Sequence, residues 1–241
     1  MKLGCSSRQA LLGALAFFLA SCAPQSVLGP GTSSGAPPSA QAITAWKTRE
    51  ARLDAIQSWE IQGRLGVHVG RNGGQLALHW RHSATVDMGA GIAKDEIDGA
   101  GPLGKRLFTL MVDANGAELV DDKHIHYAAK DAQQLLFAYT GWRLPIVGLY
   151  RWLLGAPLAH SPEQHQLDAA GRLQYLQQLG WEIHYLDYAR NGNYELPRKL
   201  VLNSLSLANH GAIDNHARSS SPSPVEPAVE LRFVIQQWTV K

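Results

Sequence analysis

The sequence is poor in cysteine, and this shortage limits the chemistry that the chain can carry. Of its 241 residues only two are cysteines, Cys5 and Cys22. Cys5 lies in an N-terminal stretch that we expect to be removed on export, which leaves Cys22 alone. A single cysteine can form neither an internal disulfide bond nor a cysteine-based metal site.

A surplus of charge of either sign is also missing. The formal net charge of the whole chain is only +2. Lys2 and Arg8 lie in the predicted export signal, and without them the 22 basic residues become 20 and balance the 20 acidic ones. Nucleic-acid binding needs a clustered positive surplus, so this balance argues against a nucleic-acid partner.

No hydrophobic run in the sequence is long enough to span a bilayer comfortably. The N-terminal run at residues 10–20 follows two basic residues and leads into Leu-Ala-Ser-Cys at residues 19–22. A short apolar run with a charged front and small residues at its end is typical of an export signal. We therefore expect residues 1–21 to be a lipoprotein signal peptide, because residues 19–22 resemble the lipobox of bacterial lipoproteins, whose cysteine is acylated. An ordinary signal peptide with a chance cysteine is the alternative.

The segment after Cys22 carries no charge and is rich in Pro, Gly, Ser and Ala up to residue 42. Such a composition cannot bury a core, so residues 22–42 are predicted to be an acylated cysteine and a flexible tether that reaches on the order of 25 Å. The remaining residues, 43–241, suffice for one domain with a substantial core.

The hydrophobic pattern of residues 43–241 indicates mainly β-structure. A helix is predicted at 45–58, followed by a hairpin of alternating apolar residues whose turn is placed at 72–74. Further strands are predicted at 107–112, 116–120, 124–127, 173–177, 181–185, 200–202 and 229–235, and helices at 131–139 and 145–155. The Gly-rich, acidic segment 88–100 is not expected to form a regular strand, and the Ser/Pro-rich segment 209–227 is expected to be a mobile loop.

Runs of strands with inserted helices favour an antiparallel sheet over a doubly wound one. Closure of this sheet into an incomplete barrel would leave a concave apolar face for helices to cover. The same aromatic and aliphatic residues would serve a filled core or an apolar cavity, so composition does not separate the two.

Two nucleotide-binding patterns overlap in GAGPLGKR at residues 99–106. The glycines spell G-x-G-x-x-G and, with Lys105, G-x-x-x-x-G-K. A phosphate loop must follow a buried strand and open a helix, whereas no apolar run precedes this segment and a strand-like run follows it. Arg106 also replaces the hydroxyl residue that would bind magnesium, so we expect no nucleotide cofactor.

The ten histidines raise the possibility of a metal site. His124 and His126 would share one face of a strand, and His79 and His82 lie close together in the sequence. There is no H-E-x-x-H pattern and no further ligand at a spacing typical of zinc sites. We expect scattered surface or hydrogen-bonded histidines, no metal and no catalytic residues.

A series of short motifs extends over nearly the whole predicted mature chain. In order they are Leu19–Cys22, Trp46…Leu53…Trp59, Gly63-Arg64-Leu65, Trp80, Gly101-Pro102-Leu103-Gly104, Leu119-Val120-Asp121, Tyr127, Thr140-Gly141-Trp142, Leu144-Pro145, Trp152-Leu153-Leu154-Gly155, Gln178–Tyr185, Leu196-Pro197 and Trp238–Lys241. This ordered set resembles the family of the outer-membrane lipoprotein LolB.

The resemblance implies an incomplete antiparallel β-barrel with α-helices over the opening of an apolar cavity. It implies a monomeric, non-enzymatic receptor, anchored in the outer membrane through Cys22 and facing the periplasm. Such a receptor accepts acylated lipoproteins from a LolA-like periplasmic carrier and inserts them into the outer membrane. Ala23 fits this location by the usual sorting pattern, in which Asp at this position retains lipoproteins elsewhere.

The resemblance also implies the site residues. Pro102, Leu103 and Gly104 correspond to a membrane-insertion loop whose apolar residue is Leu103, with Lys105 and Arg106 beside anionic head groups. The alternative is a hairpin turn whose leucine folds back into the core. The cavity would be lined by alternate strand residues and a helix stripe, namely Trp59, Ile61, Leu65, Val67, Leu78, Trp80, Leu149, Trp152, Trp181 and Ile183.

Two other functions stay open on the sequence alone. One is a structural or assembly lipoprotein of the outer membrane, whose filled barrel core binds a protein partner. The other is a hydrolase that depends on histidine.

Overall fold

The computed structural model describes residues 37–87, 90–205 and 227–241. The predicted signal peptide, Cys22 and most of the predicted tether therefore lie outside the described residues. The predicted loop 209–227 also lies outside them, apart from its last residue. Within the described ranges, no helix is long and apolar enough to cross a membrane.

In the described part of the chain, eleven antiparallel strands form one sheet. They are β1 (Ser58–Val69), β2 (Asn72–Asp87), β3 (Ala90–Ala100), β4 (Arg106–Asp113), β5 (Gly116–Asp121), β6 (His126–Ala129), β7 (Glu163–Leu167), β8 (Leu173–Gln178), β9 (Trp181–Asn191), β10 (Tyr194–Ser204) and β11 (Val229–Val240). The spatial order is β6-β5-β4-β3-β2-β1-β11-β10-β9-β8-β7, which leaves β6 and β7 as open edges. The predicted mainly β fold with an incomplete antiparallel barrel is confirmed.

Three helices accompany the sheet: α1 (Ala40–Asp54), α2 (Ala132–Thr140) and α3 (Ile146–Leu154). The side chain of Ser39 caps α1, and that of Asp131 caps α2 by accepting a hydrogen bond from a backbone N–H of the first turn. Gly141 and Gly155 end α2 and α3 in the left-handed conformation. The second and third helices are thus confirmed. They could be predicted because their cap residues can be recognised in the sequence.

Two predicted boundaries near the N-terminus are wrong. The first helix covers 40–54 rather than 45–58, because the Ser39 cap sets its start, and its first turn includes residues assigned to the tether. The β1–β2 turn is Gly70-Arg71 rather than 72–74. Gly70 has a φ of +58°, which glycine adopts readily, and residues 72–74 continue the ladder as part of β2.

The expectation for segment 88–100 is also wrong, because β3 begins at Ala90 and pairs with both β2 and β4. Between residues 93 and 100 its buried positions are Asp95, Ile97 and Gly99, of which only Ile97 is a large apolar residue. The alternation of the strand is therefore hidden in the sequence by a buried carboxylate and a glycine. Gly99 is needed there, since a Cβ would lie 2.4 Å from the ring of Phe108.

Apart from the long connection from β6 to β7, which carries α2 and α3, the described connections between consecutive strands each lie at one of two ends of the sheet. One end carries the turns at 70–71, 101–105, 122–125 and 179–180, and we call it the Leu103 end. The opposite end carries the link from α1 to β1 and the turn at 192–193.

Candidate functional site

Leu103 stands at the tip of the β3–β4 turn. The Gly101 N–H donates to the Lys105 carbonyl oxygen at 2.8 Å, and the Gly104 N–H donates to the Gly101 carbonyl oxygen at 3.2 Å. These bonds close a tight turn around Pro102 and Leu103. The Leu103 side chain is fully exposed, with a relative exposure of 105%. The alternative that Leu103 folds back into the core is therefore wrong.

The backbone of Leu103 is strained. Its φ of 66° and ψ of 15° lie in the left-handed region, which costs a residue with a Cβ about 1–2 kcal/mol. The next residue, Gly104, has a φ of 76° and bears no such penalty. Folding gains nothing from a leucine here, because the side chain packs against no core residue. A strained and exposed apolar side chain points to a role outside the folded domain.

The neighbouring β5–β6 turn is held firmly and joined to the Leu103 turn. Asp121 accepts hydrogen bonds from the backbone N–H groups of Lys123 and Ile125, both at 2.9 Å. The bond from Ile125 is the main cause that lowers the pKa of Asp121. Lys105 Nζ lies 2.8 Å from Asp122 Oδ2, and this hydrogen bond raises the pKa of Lys105. The two turns thus form one cationic, structured edge.

The ten predicted cavity residues come together in the interior of the sheet. Leu65 and Val67 are half-buried, and the other eight are no more than 5% exposed, namely Trp59, Ile61, Leu78, Trp80, Leu149, Trp152, Trp181 and Ile183. These eight belong to one packed cluster, and Leu65 and Val67 pack against it. The interior is therefore filled by side chains in this conformation.

Trp152 fixes α3 to strands β8 and β9. Its Nε1 donates to Gln178 Oε1 at 2.8 Å, and that oxygen also accepts from the Leu158 N–H at 2.8 Å. The Tyr185 hydroxyl donates to the Trp152 carbonyl oxygen at 3.0 Å, and burial raises the pKa of Tyr185 well above its ordinary value. Gly148 makes room for the indole, since a Cβ would lie 2.5 Å from it.

A buried polar cluster that the sequence did not reveal links β2 and β3 to α3. Asp95 Oδ1 accepts a hydrogen bond from Trp80 Nε1 at 2.8 Å and lies 2.7 Å from His82 Nδ1. The His82 ring stacks on Tyr150 of α3, with centroids 5.0 Å apart. His82 is thus a hydrogen-bonded core histidine. The signal in the sequence is the two-residue spacing of Asp95 and Ile97, which places both on one face.

A surface cavity of about 920 Å³ lies between α1 and the β9–β10 hairpin, away from the predicted site. Its lining includes Arg49, Arg52 and Arg190 and none of the ten predicted cavity residues. Arg49 and Arg52 donate to the backbone carbonyls of Glu195 and Asn193, and burial lowers the pKa of Arg49. These arginines therefore join α1 to the hairpin.

In the described residues, the geometry around the nucleotide-binding patterns and the histidines does not support a nucleotide or metal site. Residues 99–106 end β3, form a short turn and enter β4, so no helix N-terminus faces a phosphate there. His79 lies 2.7 Å from Glu60, and His126 lies 2.5 Å from Glu118. Among the residues that the structure describes, no three His, Cys, Asp or Glu side chains are grouped to hold a metal.

The family model described as "Outer membrane lipoprotein LolB" matches residues 57–238, which include β1 to β10 and all but the last two residues of β11, and leave out α1. The chain belongs to the LolB family. The "Outer-membrane lipoprotein LolB" of Pseudomonas paraeruginosa is 32% identical over 163 residues, covering 67% of this chain and 75% of that protein. The protein of the same name from Pseudomonas putida is 31% identical over 162 residues, with the same coverage of both chains.

Among solved structures, this LolB-family chain is similar to a DUF1329 family protein from Desulfovibrio piger. The TM-score is 0.49 at 7% identity, over 83% of this chain and 91% of that one. The family assignment rests on the sequence matches and not on this likeness.

Proposed function

We propose that this LolB-family protein is an outer-membrane-anchored receptor that accepts acylated lipoproteins from a LolA-like periplasmic carrier and inserts them into the outer membrane. Membership of a family of outer-membrane lipoproteins supports the general role. The observation that carries the delivery step is Leu103, an apolar side chain fully exposed on a structured turn. No covalent chemistry is part of the proposal.

Leu103 suits a weak and reversible contact with a bilayer. Burying one leucine side chain contributes about 2 kcal/mol, and a nearby Lys or Arg adds about 1 kcal/mol at an anionic surface. Lys105 and Arg106 are both exposed beside Leu103. A contact of this size lets the turn enter and leave the membrane repeatedly, while stable anchoring is assigned to the acylated Cys22.

Acyl-chain binding is proposed to occur between the sheet and helices α2 and α3. Because the ten interior residues pack against one another, an acyl chain can enter only if these helices move. A left-handed glycine lies at the C-terminal end of each helix, Gly141 after α2 and Gly155 after α3. Glycine accommodates such changes in backbone angles at small cost, so these positions are suited to be hinges.

The filled interior favours a second candidate function, a structural or assembly lipoprotein that binds a protein partner. Binding of an apolar dye separates the two candidates, because only an interior that opens takes up the dye. The full chain carrying Cys22→Ala is the appropriate protein, since its own acyl groups cannot then occupy the site. Dye binding that an acylated peptide competes away supports the receptor, and failure to bind dye supports the alternative.

The delivery step is tested with Leu103→Glu and a matched control, Leu186→Glu. Leu186 is also exposed, at 64%, but lies on β9 rather than in a turn. Leu103→Glu is expected to accept lipoprotein from the carrier and fail to release it into vesicles, whereas Leu186→Glu should do both. Normal release by Leu103→Glu would refute the assignment of this turn.

A further inference from the structure

The turn that joins β8 and β9 repeats the unusual features of the Leu103 turn. It consists of Leu179 and Gly180, with φ angles of 52° and 76°. Two-residue hairpin loops in which both angles are positive favour Asn-Gly or Gly-Gly, because a branched apolar side chain is disfavoured there. Leu179 nevertheless occupies the first position, and its side chain is 50% exposed.

Leu103 and Leu179 therefore share a pattern. Each is a leucine with a positive φ, each is exposed, and each precedes a glycine with a φ of 76°. In both turns an asparagine would fit the backbone better and an exposed polar side chain would cost less. The backbone conformation of each turn disfavours the leucine that occupies it, so both positions call for the same explanation.

The two turns lie at the same end of the sheet. Leu179 follows the last residue of β8, and the antiparallel registers can be followed through β9, β10, β11, β1 and β2 to the last residue of β3. Each step keeps the β8–β9 turn at the Leu103 end. A third exposed aliphatic residue, Ile125, lies in the β5–β6 turn at this end and is 47% exposed.

The Leu103 end also carries a surplus of exposed positive charge. Arg71, Lys105, Arg106 and Lys123 are exposed in or beside its turns. Asp122, the exposed acidic residue among them, is paired with Lys105. The basic residues lie beside Leu103 and Ile125, and this combination matches the boundary between anionic head groups and acyl chains.

We propose that Leu179 is a second membrane-contacting residue, which enters the same leaflet of an anionic bilayer as Leu103. This inference rests on the proposed function. A bilayer suits the observations better than a protein partner, because the exposed leucines stand on separate turns and a fluid apolar phase can receive separate tips. Contact through two turns would also fix the tilt of the domain on the membrane.

The test uses the full-length lipidated protein in vesicles of phosphatidylethanolamine and phosphatidylglycerol. Cysteine is introduced by Leu103→Cys, Leu179→Cys or Leu186→Cys and labelled with an environment-sensitive fluorophore. In the proposed mature protein Cys5 is removed and the thiol of Cys22 is acylated, so the introduced thiol is the one that the fluorophore labels. Spin-labelled acyl chains in the vesicles then quench any fluorophore that reaches them.

Quenching at positions 103 and 179, with none at 186, is the expected result. Quenching at 103 alone would overturn the inference about Leu179 and leave the proposed function standing. No quenching at 103 or 179 would contradict both the proposed membrane contact and this inference.

A second measurement excludes misfolding as a cause. Leu179→Asn suits the left-handed backbone, so its denaturation midpoint should be equal to or higher than that of the original chain. Its delivery of lipoprotein into vesicles should be about tenfold slower, as expected if part of one leucine's burial is lost. Leu186→Thr, on the side of the sheet, should leave delivery unchanged. Unchanged delivery by Leu179→Asn would overturn the inference.

Discussion

The interior of the sheet and its Leu103 end use the same kinds of side chain in opposite ways. Trp152 and Leu153 are fully buried, whereas Leu103 is fully exposed and Leu179 is half-exposed. The interior residues are held by packing and hydrogen bonds, while the two turn leucines occupy a backbone conformation that disfavours them. This difference indicates that the interior residues stabilise the fold, whereas the leucines of the two turns reduce its stability.

The largest expected loss of stability follows from a substitution in the interior. Trp152→Ala should lower the free energy of unfolding by about 3–5 kcal/mol, because it leaves a large cavity and removes the hydrogen bond to Gln178. Denaturant unfolding followed by circular dichroism measures this loss. Leu179→Ala serves as the control and should change stability little. A loss below about 1 kcal/mol for Trp152→Ala would mean that the interior is already loose rather than packed.

A second prediction concerns the close approach of the β1 and β11 backbones at Gly63. A Cβ on Gly63 would lie 2.3 Å from the Val234 carbonyl oxygen, where a register shift between β1 and β11 brings the chains together. Gly63→Ala should therefore destabilise the fold by about 1–3 kcal/mol, because backbone atoms must move.

Gly66→Ala is the matched control on the same strand. Its nearest neighbour would be Arg232 Cβ at 3.6 Å, an ordinary contact, so stability should stay unchanged or rise slightly. Thermal unfolding of both variants measures the difference. Equal effects of the two substitutions would show that close approach at Gly63 is not what requires glycine.

The sequence predicts elements best where local signals agree. Asp131 and Gly155 are cap residues that act within a few positions, so the second and third helices could be predicted nearly to their ends. Strand β3 could not, because Asp95 is acceptable inside only when Trp80 and His82, from another strand, satisfy it. Such compensation depends on tertiary contacts that no local pattern contains.

The sequence could name Leu103 as a candidate, but it could not predict the geometry of its turn. The resemblance pointed to Leu103, yet whether its side chain faces solvent depends on the backbone angles of one turn. Leu179 was missed, although Leu-Gly between two strands, where Asn-Gly is the common choice, was a readable signal. The filled state of the interior also lies beyond sequence reasoning, because a core and a cavity use the same residues.

A third prediction is that replacing the turn residue Leu103 stabilises the fold, whereas replacements in the interior destabilise it. Leu103→Asn should raise the free energy of unfolding by up to about 1 kcal/mol, since asparagine tolerates the left-handed backbone. Leu186→Asn, on a strand, should instead lower it by a few tenths. Urea denaturation measures both. Destabilisation by Leu103→Asn would mean that Leu103 contributes to packing and that its presence does not lower the free energy of unfolding.

The smallest expected effect is the pH dependence of stability that arises from Asp121, in the turn beside Leu103. Hydrogen bonds from the backbone N–H groups of Ile125 and Lys123 lower the pKa of Asp121. A carboxylate whose pKa is lower in the folded state stabilises the fold above its unfolded pKa of about 3.9, and this stabilisation is lost as the pH falls through the folded pKa. Asp121→Asn keeps a neutral acceptor and therefore resembles the protonated state.

The original chain should accordingly unfold at a slightly higher denaturant concentration than Asp121→Asn at about pH 7, and the gap should close at an acidic pH below the folded pKa of Asp121. Asp122→Asn removes only the exposed pair with Lys105, so it should change stability little at either pH. A gap that is the same at both pH values would show that shape, rather than the charge of Asp121, holds the turn. Closure of the gap would instead mean that the charge of Asp121 holds the turn beside Leu103 through the backbone N–H groups of Lys123 and Ile125.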